Sequence, residues 1–309
     1  MKTLIVILGP TGVGKTELCL RVAEHFCVPI INADSRQIYK GLPIGTAAPT
    51  REQQQRVRHF MVQQLDIDAY YNASLFEEDV IRLLGQLFKE SDIALMSGGS
   101  MMYIDAVCNG MGDLPTVSDE LRATMKQRLK DEGLEALCQE LKELDPEYYA
   151  LVDKKNYRRV VHALEIIHTT HQTFTSLRTG MKKERPFKIV KIGLNRQREE
   201  LYTRINRRVD EMMENGLLEE ARLHYPMRHL QSLNTVGYKE LFAHLDGTWT
   251  LEEAVERIKG NTRRYARKQL TWFKRDADIH WIELSESEQS YQQALNQIYC
   301  KVKSELSEE

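Results

Sequence analysis

A chain of 309 residues with 42% hydrophobic and 28% charged residues has the composition of an ordinary globular protein, long enough for one large domain or two smaller ones. Its formal net charge of -2 argues against a uniformly basic nucleic-acid coat protein but leaves room for a local basic groove. The five scattered cysteines form no C-x-x-C pair, which argues against a zinc site or a disulfide framework and favours a reducing compartment. No signal peptide is recognisable, and no segment approaches the ~20 apolar residues of a membrane span. We therefore expect a cytoplasmic protein without a membrane segment.

Strands and helices alternate through the first hundred residues. The apolar run TLIVIL (3–8) predicts a buried parallel strand, followed by a glycine-rich loop and a helix that reaches about Phe26. Further strands are predicted at VPIINAD (28–34), HFMVQQL (59–65) and DIALMSGGS (92–100). Residues 74–90 have the apolar period of an amphipathic helix, with Ser74 as its N-cap. The alternation predicts an α/β fold, a P-loop doubly wound parallel sheet.

The sequence pattern changes near residue 115, from alternating strands and helices to helices alone. Helical patterns run from Ser118 to about Arg178, bounded by Pro115 and by GMKKERP (180–186). FKIVKIGL (187–194) then alternates as a strand that rejoins the sheet, and IHWIEL (279–284) is a last short strand. We therefore divide the chain into the first part of the core (1–114), a helical insertion domain (115–186), and the rest of the core with C-terminal helices (187–309).

The loop after the first strand satisfies the pattern G-x-x-x-x-G-K-[ST] in its expected place between a strand and a helix. Its residues are Gly9, Pro10, Thr11, Gly12, Val13, Gly14, Lys15 and Thr16. Glycines let successive backbone N–H groups point inward, and the helix N-terminus adds partial positive charge. Lys15 supplies a full charge, and the Thr16 hydroxyl is placed to hold Mg²⁺. The motif predicts a phosphate site without naming the phosphate.

Two further features are predicted beside this loop. Asp34 ends the second strand, where a carboxylate faces the same crevice and is available to bind metal or act as a base. The alternative is an aspartate that only caps the following turn. Gly98-Gly99-Ser100 opens a helix and offers a second set of free N–H groups for an anion; the alternative is a glycine turn with Ser100 as a plain N-cap.

Five segments together resemble the tRNA dimethylallyltransferase family. They are GPTGVGKTEL, NADSRQIYKGLPIGTAAP, GGSMMY, NTVGYKEL and NTRRYARKQLTWFKR, in this order between residue 4 and about residue 275. The resemblance implies transfer of an isoprenoid from dimethylallyl diphosphate to the exocyclic amine of the adenosine just 3′ of the anticodon, in tRNAs that read codons starting with U. It also implies that the loop holds the donor's diphosphate and that ATP is not a substrate. Asp34 would accept the amine proton, with Ser35 and Gln37 beside the base.

Basic residues concentrate near the C-terminal end of the match. Between Arg257 and Arg275, eight of nineteen residues are Lys or Arg and none is acidic. On a helix Arg264 and Lys268 share a face, with aromatic rings at Tyr265 and Trp272, which predicts contact with RNA phosphates and bases. The alternative is a solvated basic face.

Arg204 and Arg208 lie one helical turn apart. The resemblance implies that this helix sends an arginine toward the diphosphate, and the sequence does not choose between the two. The alternative is an ion pair with Glu200 or Glu211 on the helix surface.

The resemblance also implies a set of tRNA contacts spread along the chain. Besides the residues above, these are Arg36, Ser100, Arg122, Asn156, Tyr157, Arg158, Arg159, Val160, Gly237, Tyr238, Arg267 and Gln269. Ser100 stands where the family usually has Thr, so its hydroxyl keeps a diphosphate contact. Two departures concern other positions: His162 replaces a common Arg, and Ala48 replaces a frequent Lys.

The predicted partners are therefore the tRNA anticodon stem-loop and dimethylallyl diphosphate, with Mg²⁺ as cofactor, and we expect a monomer. The target adenosine must leave its stack, and a channel between core and insertion would admit it from one side and the diphosphate from the other. Two competing hypotheses are a P-loop nucleotide or small-molecule kinase, and a non-catalytic RNA-binding regulator that senses nucleotide. The kinase hypothesis leaves the basic-aromatic helix unexplained, and the regulator hypothesis gives Asp34 no chemical task.

Overall fold

A computed structural model describes residues 1–110, 117–177 and 183–307 of the chain. The chain divides into two compact units, one of Met1–Cys108 with Arg185–Glu309 and the other of Asn109–Glu184. The boundary expected between residues 114 and 115 falls outside the described residues. The first unit resumes at Arg185, close to the expected position 187.

The first unit is built on a six-stranded, wholly parallel sheet. Its strands are β1 (Thr3–Leu8), β2 (Ile30–Ala33), β3 (His59–Phe60), β4 (Ile93–Gly98), β5 (Lys188–Arg196) and β6 (His280–Leu284). They lie in the order β3-β2-β4-β1-β5-β6. β3 is shorter than predicted because Met61 and Gln63 adopt left-handed φ angles of 62° and 49°, which end the extended conformation.

Helices connect these strands and form all of the regular structure in the described part of the second unit. In chain order they are α1 (Lys15–Phe26), α2 (Arg51–Arg56), α3 (Ala73–Leu87), α4 (Met101–Asn109), α5 (Asp119–Asp131), α6 (Gly133–Leu144), α7 (Pro146–Leu151), α8 (Tyr157–Thr170), α9 (Phe174–Leu177), α10 (Arg198–Glu214), α11 (Leu217–His224), α12 (Tyr238–Leu245), α13 (Leu251–Phe273) and α14 (Glu288–Ser307). The predicted N-cap of α3 is wrong: the side chain of Asn72, not Ser74, accepts the backbone N–H of Leu75 at 2.9 Å.

Apolar side chains cover both faces of the sheet. Leu4 and Val6 of β1 belong to one buried cluster, whereas Ile5 and Ile7 belong to the other. A strand that is covered on both faces needs an unbroken apolar sequence, which is why TLIVIL does not alternate.

The second unit has its own apolar core. Met125, Leu137, Leu141 and Leu164 are fully buried within it. Within the described residues of both units, no helix combines the length and apolar character needed to cross a membrane.

Candidate active site

The phosphate-binding motif forms a tight loop between β1 and α1. Gly9, Gly12 and Gly14 have φ angles of 156°, 82° and 108°, which side chains rarely adopt. A Cβ atom at Gly12 would lie 2.8 Å from Cγ1 of Ile205, and one at Gly9 would lie 2.7 Å from the carbonyl oxygen of Leu194. The glycines therefore permit both the backbone angles and the close approach of the loop to its neighbours.

Lys15 folds back over the loop that precedes it. Its Nζ donates hydrogen bonds of 2.8 Å to the carbonyl oxygens of both Gly9 and Pro10. Burial, and then the nearby charge of Arg208, lowers the pKa of Lys15 to about 8. The next residue, Thr16, is exposed. Both side chains lie in the wall of a cavity of about 360 Å³, which we call the P-loop cavity.

A second cavity of about 320 Å³ has a more apolar wall. It is lined by the segment Asn234–Gly237 and by side chains of α10 and α11, among them Ile205, Val209, Met212 and Leu217. Five residues line both cavities: Thr11, Asp34, Thr46, Arg208 and Tyr265. The two cavities therefore meet at these residues. All lining residues of both cavities belong to the first unit. The predicted channel between core and insertion stays a prediction.

Asp34 caps the turn that follows its strand, and its role as base or metal ligand stays a prediction. Its Oδ1 accepts the backbone N–H groups of Arg36 at 2.8 Å and Gln37 at 3.3 Å, as an aspartate that caps a turn does. Its Oδ2 makes no hydrogen bond to any residue in the described ranges. One oxygen thus fixes the carboxylate, and the other remains available where the cavities meet.

Ser100 holds a neighbouring loop. The Ser100 Oγ accepts the backbone N–H of Ser35 at 2.8 Å and donates to the Ser35 Oγ at 3.2 Å. Ser100 is only 6% exposed, and its own N–H donates to the Ala33 carbonyl oxygen. In this structure the hydroxyl positions the loop after β2, while Gly98 and Gly99 line the P-loop cavity. The predicted diphosphate contact of the hydroxyl stays a prediction.

The two arginines of α10 differ in their surroundings. Arg204 donates from Nε to the carbonyl oxygen of Gly12 at 3.0 Å and pairs with Glu286 at 3.2 Å. Arg208 forms no hydrogen bond or ion pair with the residues that the structure describes, and it lines both cavities. Within the described residues, these arginines do not form the alternative pairs with Glu200 or Glu211: Glu200 pairs with Arg196 and Glu211 with Arg207.

α13 separates its buried and exposed side chains sharply. Arg264, Arg267 and Lys268 are exposed, and Arg264 donates only to Asn261 of the same helix at 3.0 Å. On the inner side, Gln269 is 2% exposed. Trp272 is half-buried, and its Nε1 donates to Asp105 at 2.8 Å. This helix therefore offers to solvent a basic face that forms no ion pair with an acidic side chain in the part of the chain that the structure describes.

Three predicted RNA contacts fall on residues whose side chains are buried in this structure, and these contacts stay predictions. Tyr238 is fully buried, and its hydroxyl donates to Oε1 of Glu220 at 2.5 Å. Val160 is fully buried in the core of the second unit. Gln269 accepts the N–H of Thr11 and donates to the Gly99 carbonyl oxygen. Their side chains are enclosed by protein, so they support neighbouring segments in this structure.

Other predicted positions have accessible side chains. Asn156 caps α8, and Tyr157, Arg158 and Arg159 are exposed in its first turn. Arg122 pairs with Asp119 within α5. These four residues and Arg122 belong to the second unit, and their RNA contacts stay predictions.

Besides Asp34, three predicted RNA-contact positions of the first unit lie in the wall of the second cavity: Ser35, Arg36 and Gly237. Arg36 lines it and donates to the Gln231 carbonyl oxygen at 3.0 Å. Gly237 lines it with a φ of 102°. Their RNA contacts also stay predictions.

Two residues of the shared wall were not assigned from the sequence. Thr46 lies in the quoted segment GLPIGTAAP, and Tyr265 was noted only as an aromatic on the basic helix. Tyr265 is 36% exposed and lies near Asp34, and partial desolvation of its hydroxyl raises its pKa to about 12. Tyr265 is the aromatic residue common to both cavities among the described residues. The sequence signal that could have indicated this position is the helical period, which places Tyr265 on the same side of the helix as Gln269.

Known proteins resemble this chain over nearly its whole length. The chain is 58% identical over 298 residues to tRNA dimethylallyltransferase 2 of Parabacteroides distasonis, covering 96% of this chain and 100% of the relative. It is 61% identical over 280 residues to tRNA dimethylallyltransferase 1 of Phocaeicola vulgatus, covering 91% and 93%.

Solved structures resemble its fold. The full-length tRNA isopentenylpyrophosphate transferase of Bacillus halodurans matches with a TM-score of 0.72 and 34% identity, covering 100% of both chains. A eukaryotic dimethylallyltransferase described as acting on tRNA matches with a TM-score of 0.80 and 26% identity, covering 92% of this chain and 74% of that one. The family model for IPP transferase matches residues 37–276. The chain therefore belongs to the IPP transferase family.

Proposed function

We propose that this protein transfers a dimethylallyl group from dimethylallyl diphosphate to a tRNA. The acceptor is the exocyclic N6 amine of the adenosine 3′-adjacent to the anticodon, and diphosphate is released. The observation that carries this proposal is the free Oδ2 of Asp34 at the meeting point of two cavities, one walled by a phosphate-binding loop and the other more apolar. The names of the relatives supply the class of substrate.

The proposed reaction is a substitution at the first carbon of the dimethylallyl group. The lone pair of N6 forms the new C–N bond while the C–O bond to diphosphate breaks and its electron pair leaves with the diphosphate. The amine proton passes to Oδ2 of Asp34. An adenine amine is a poor nucleophile because its lone pair is conjugated with the ring, so removal of the proton favours bond formation.

The leaving diphosphate gains negative charge as the bond breaks. We assign Lys15, Arg208 and the loop N–H groups to that charge, since all lie at the P-loop cavity. Arg208 is preferred to Arg204, because the guanidinium of Arg204 is already bound to Gly12 and Glu286. Tyr265 and Thr46 would lie beside the reacting carbon, between the two cavities.

A magnesium ion fits the donor set at this cavity. Mg²⁺ keeps several waters and is usually held by one or two protein oxygens together with substrate phosphates. Thr16 is exposed in the wall of the P-loop cavity, and its hydroxyl would hold the ion together with diphosphate oxygens and water. The bound ion would neutralise charge on the diphosphate. The described residues contain no cluster of three or more His, Cys, Asp or Glu side chains that would bind a metal without substrate.

The finer assignments follow from the same proposal. The first unit would be a P-loop doubly wound core, and the second a helical insertion that binds tRNA through Arg158 and Arg159. Arg264, Arg267 and Lys268 on α13 would bind RNA phosphates. The adenosine would be extruded from its stack into the second cavity, at a cost of a few kcal/mol.

The proposal is tested with anticodon stem-loop RNA and labelled dimethylallyl diphosphate in the presence of Mg²⁺. Nucleoside analysis should find the label on the adenosine 3′ of the anticodon. An RNA with guanosine at that position is the matched control and should stay unlabelled. Label on another nucleotide would refute the assigned acceptor. So would an unlabelled adenosine when the protein in the assay is shown to be folded.

A further inference from the structure

A short turn that lies between the two cavities is built from residues 43–48. The N–H of Ala47 donates to the Ile44 carbonyl oxygen at 2.9 Å, and the N–H of Ala48 donates to that of Pro43 at 3.0 Å. Thr46, inside this 43–48 turn, lines both cavities. Ala47 holds a left-handed φ of 48°, so the turn needs external bonds to keep its shape.

Two of these bonds come from Gln37, on the side of the turn that faces Asp34. The Nε2 of Gln37 donates to the carbonyl oxygens of Thr46 at 2.9 Å and Ala47 at 3.0 Å. The backbone N–H of Gln37 in turn donates to Oδ1 of Asp34. The 43–48 turn and the carboxylate of Asp34 are therefore joined through a single residue.

The opposite side of the turn is held by a buried carboxylate on α11. Glu220 is 9% exposed, and it accepts the N–H of Ile44 at Oε2 (3.0 Å) and the N–H of Gly45 at Oε1 (2.8 Å). The hydroxyl of Tyr238 donates to the same Oε1 at 2.5 Å. Three donors thus satisfy the two oxygens of one carboxylate. Among the described residues, no basic side chain forms an ion pair with it.

The aromatic ring of Tyr238 also supports the 43–48 turn. A Cβ atom at Gly45 would lie 2.6 Å from Cζ of Tyr238, so only glycine lets the turn rest on the ring. Burial, and then the charge of Glu220, raises the pKa of Tyr238, so its hydroxyl remains a donor at neutral pH. Neither Glu220 nor Tyr238 lines either of the two cavities described above.

We propose that Glu220, supported by Tyr238, is a positioning residue for the transfer reaction: it fixes the 43–48 turn, and through Gln37 the carboxylate of Asp34, in the geometry that the reaction needs. This inference rests on the function proposed above. It assigns no contact between Glu220 and either substrate. Its effect should therefore appear in the rate of the bound complex and not in donor binding, because the phosphate-binding loop is held separately by Gln269 and Lys15.

The test compares Glu220→Gln with Glu219→Gln. The Glu220→Gln substitution keeps the side-chain volume but turns an NH₂ group toward N–H and O–H donors. Glu219→Gln is the control, because Glu219 is exposed on the same helix. Dimethylallyl transfer to stem-loop RNA should show kcat about 10- to 100-fold lower for Glu220→Gln, with the donor KM within about twofold of wild type. Glu219→Gln should match wild type in both.

Tyr238→Phe is the second variant, because it keeps the ring under Gly45 and removes one donor. Alone it should lower kcat by only about twofold to fivefold, since two backbone donors remain on Glu220. In the Glu220→Gln background it should add no larger loss than this, because the amide oxygen can still accept the Gly45 N–H and the Ile44 N–H is the donor left opposed. A lowered kcat with an unchanged donor KM in these folded variants distinguishes positioning from loss of fold.

Three outcomes would overturn the inference. They are a folded Glu220→Gln enzyme with wild-type kcat, an equal loss in Glu219→Gln, or a change confined to the donor KM. Failure of the function proposed above would look different, because wild-type protein would then transfer no label to RNA at all.

Discussion

Gln269 accepts the backbone N–H of Thr11 at 2.9 Å and so ties the basic helix α13 to the phosphate-binding loop. The Nε2 of the same side chain donates to the Gly99 carbonyl oxygen at 2.7 Å. One amide therefore joins the two loops that face the P-loop cavity. The bond to Gly99 is buried, so water does not replace it when the side chain is changed, whereas the bond from Thr11 is partly buried.

Gln269→Glu should loosen this junction at nearly constant volume. A carboxylate oxygen would face the carbonyl oxygen of Gly99, which repels it, while the bond to Thr11 is kept. The KM for dimethylallyl diphosphate should rise about tenfold or more, a change measured by initial rates at saturating RNA. Arg267→Gln, an exposed change on the same helix, should leave the donor KM unaltered. A wild-type donor KM in Gln269→Glu would remove Gln269 from the organisation of the donor site.

Asp34→Asn isolates the proposed base function. The Asn oxygen can still accept the N–H groups of Arg36 and Gln37, but the amide does not accept a proton at neutral pH. We expect kcat to fall about 10²- to 10⁴-fold while the KM for RNA changes little, as single-turnover assays would measure. Asp34→Ala should lose turnover to at least the same degree with tRNA binding largely kept. Turnover near the wild-type level in Asp34→Asn would rule out proton transfer to this group.

The pH dependence of donor binding should reflect Lys15. Burial lowers its pKa to about 8, so in the free protein the ammonium is charged below that pH and loses its proton as the pH rises through it. The affinity for dimethylallyl diphosphate should therefore be constant near pH 7 and fall above about pH 8. Calorimetric titration at a series of pH values measures this change. Lys15→Arg, which stays charged, should show no such fall; a parallel fall in both proteins would assign the titration elsewhere.

The exposed face of α13 should contribute to the salt dependence of tRNA binding. Replacing Arg264 and Lys268 together with Ala removes two cationic side chains that have no acidic partner among the described residues. The tRNA affinity should fall, and the slope of log K against log salt should become shallower by about 1 to 2. Arg82 and Lys303, exposed on α3 and α14, provide a control double substitution of equal charge. An unchanged slope in the α13 variant would exclude phosphate contact by this face.

Tyr265 should act through its ring. Tyr265→Phe keeps the aromatic surface between the cavities, whereas Tyr265→Leu removes it at moderate loss of volume. We expect kcat for transfer to stay within about threefold in Tyr265→Phe and to fall about tenfold or more in Tyr265→Leu, because ring stacking on a base or ring contact with a partly cationic allyl carbon is lost. A large loss in Tyr265→Phe would instead point to the hydroxyl.

Much of the sheet and the phosphate-binding loop could be predicted because local sequence determines them. A strand covered on both faces must be continuously apolar, and a loop that cradles phosphate needs glycines at fixed positions. The third strand was overestimated because left-handed angles at Met61 and Gln63 leave no trace in an apolar pattern. Asn72 was passed over as the N-cap of α3 because Ser74, two residues on, has an equally suitable side chain.

The candidate site was harder to predict where function depends on contacts between distant residues. Ser100 and Gln269 have side chains suited to a ligand, but hydrogen bonds to Ser35, Thr11 and Gly99 occupy them in the fold. Glu220 lies about 175 positions from the turn it holds, and an acidic residue on a helix carries no signal of burial. Tertiary pairing, which sequence periodicity does not contain, decides these roles.

The most direct test of the central claim supplies both candidate donors in one reaction. Unmodified tRNA is incubated with the protein, Mg²⁺, dimethylallyl diphosphate labelled in the prenyl carbon and ATP labelled in the γ-phosphate, and the nucleosides and the free phosphates are then separated. We predict prenyl label on one adenosine, an equal amount of diphosphate released, and no consumption of ATP. Hydrolysis or transfer from ATP with no prenyl label in the tRNA would contradict the account and restore the kinase hypothesis.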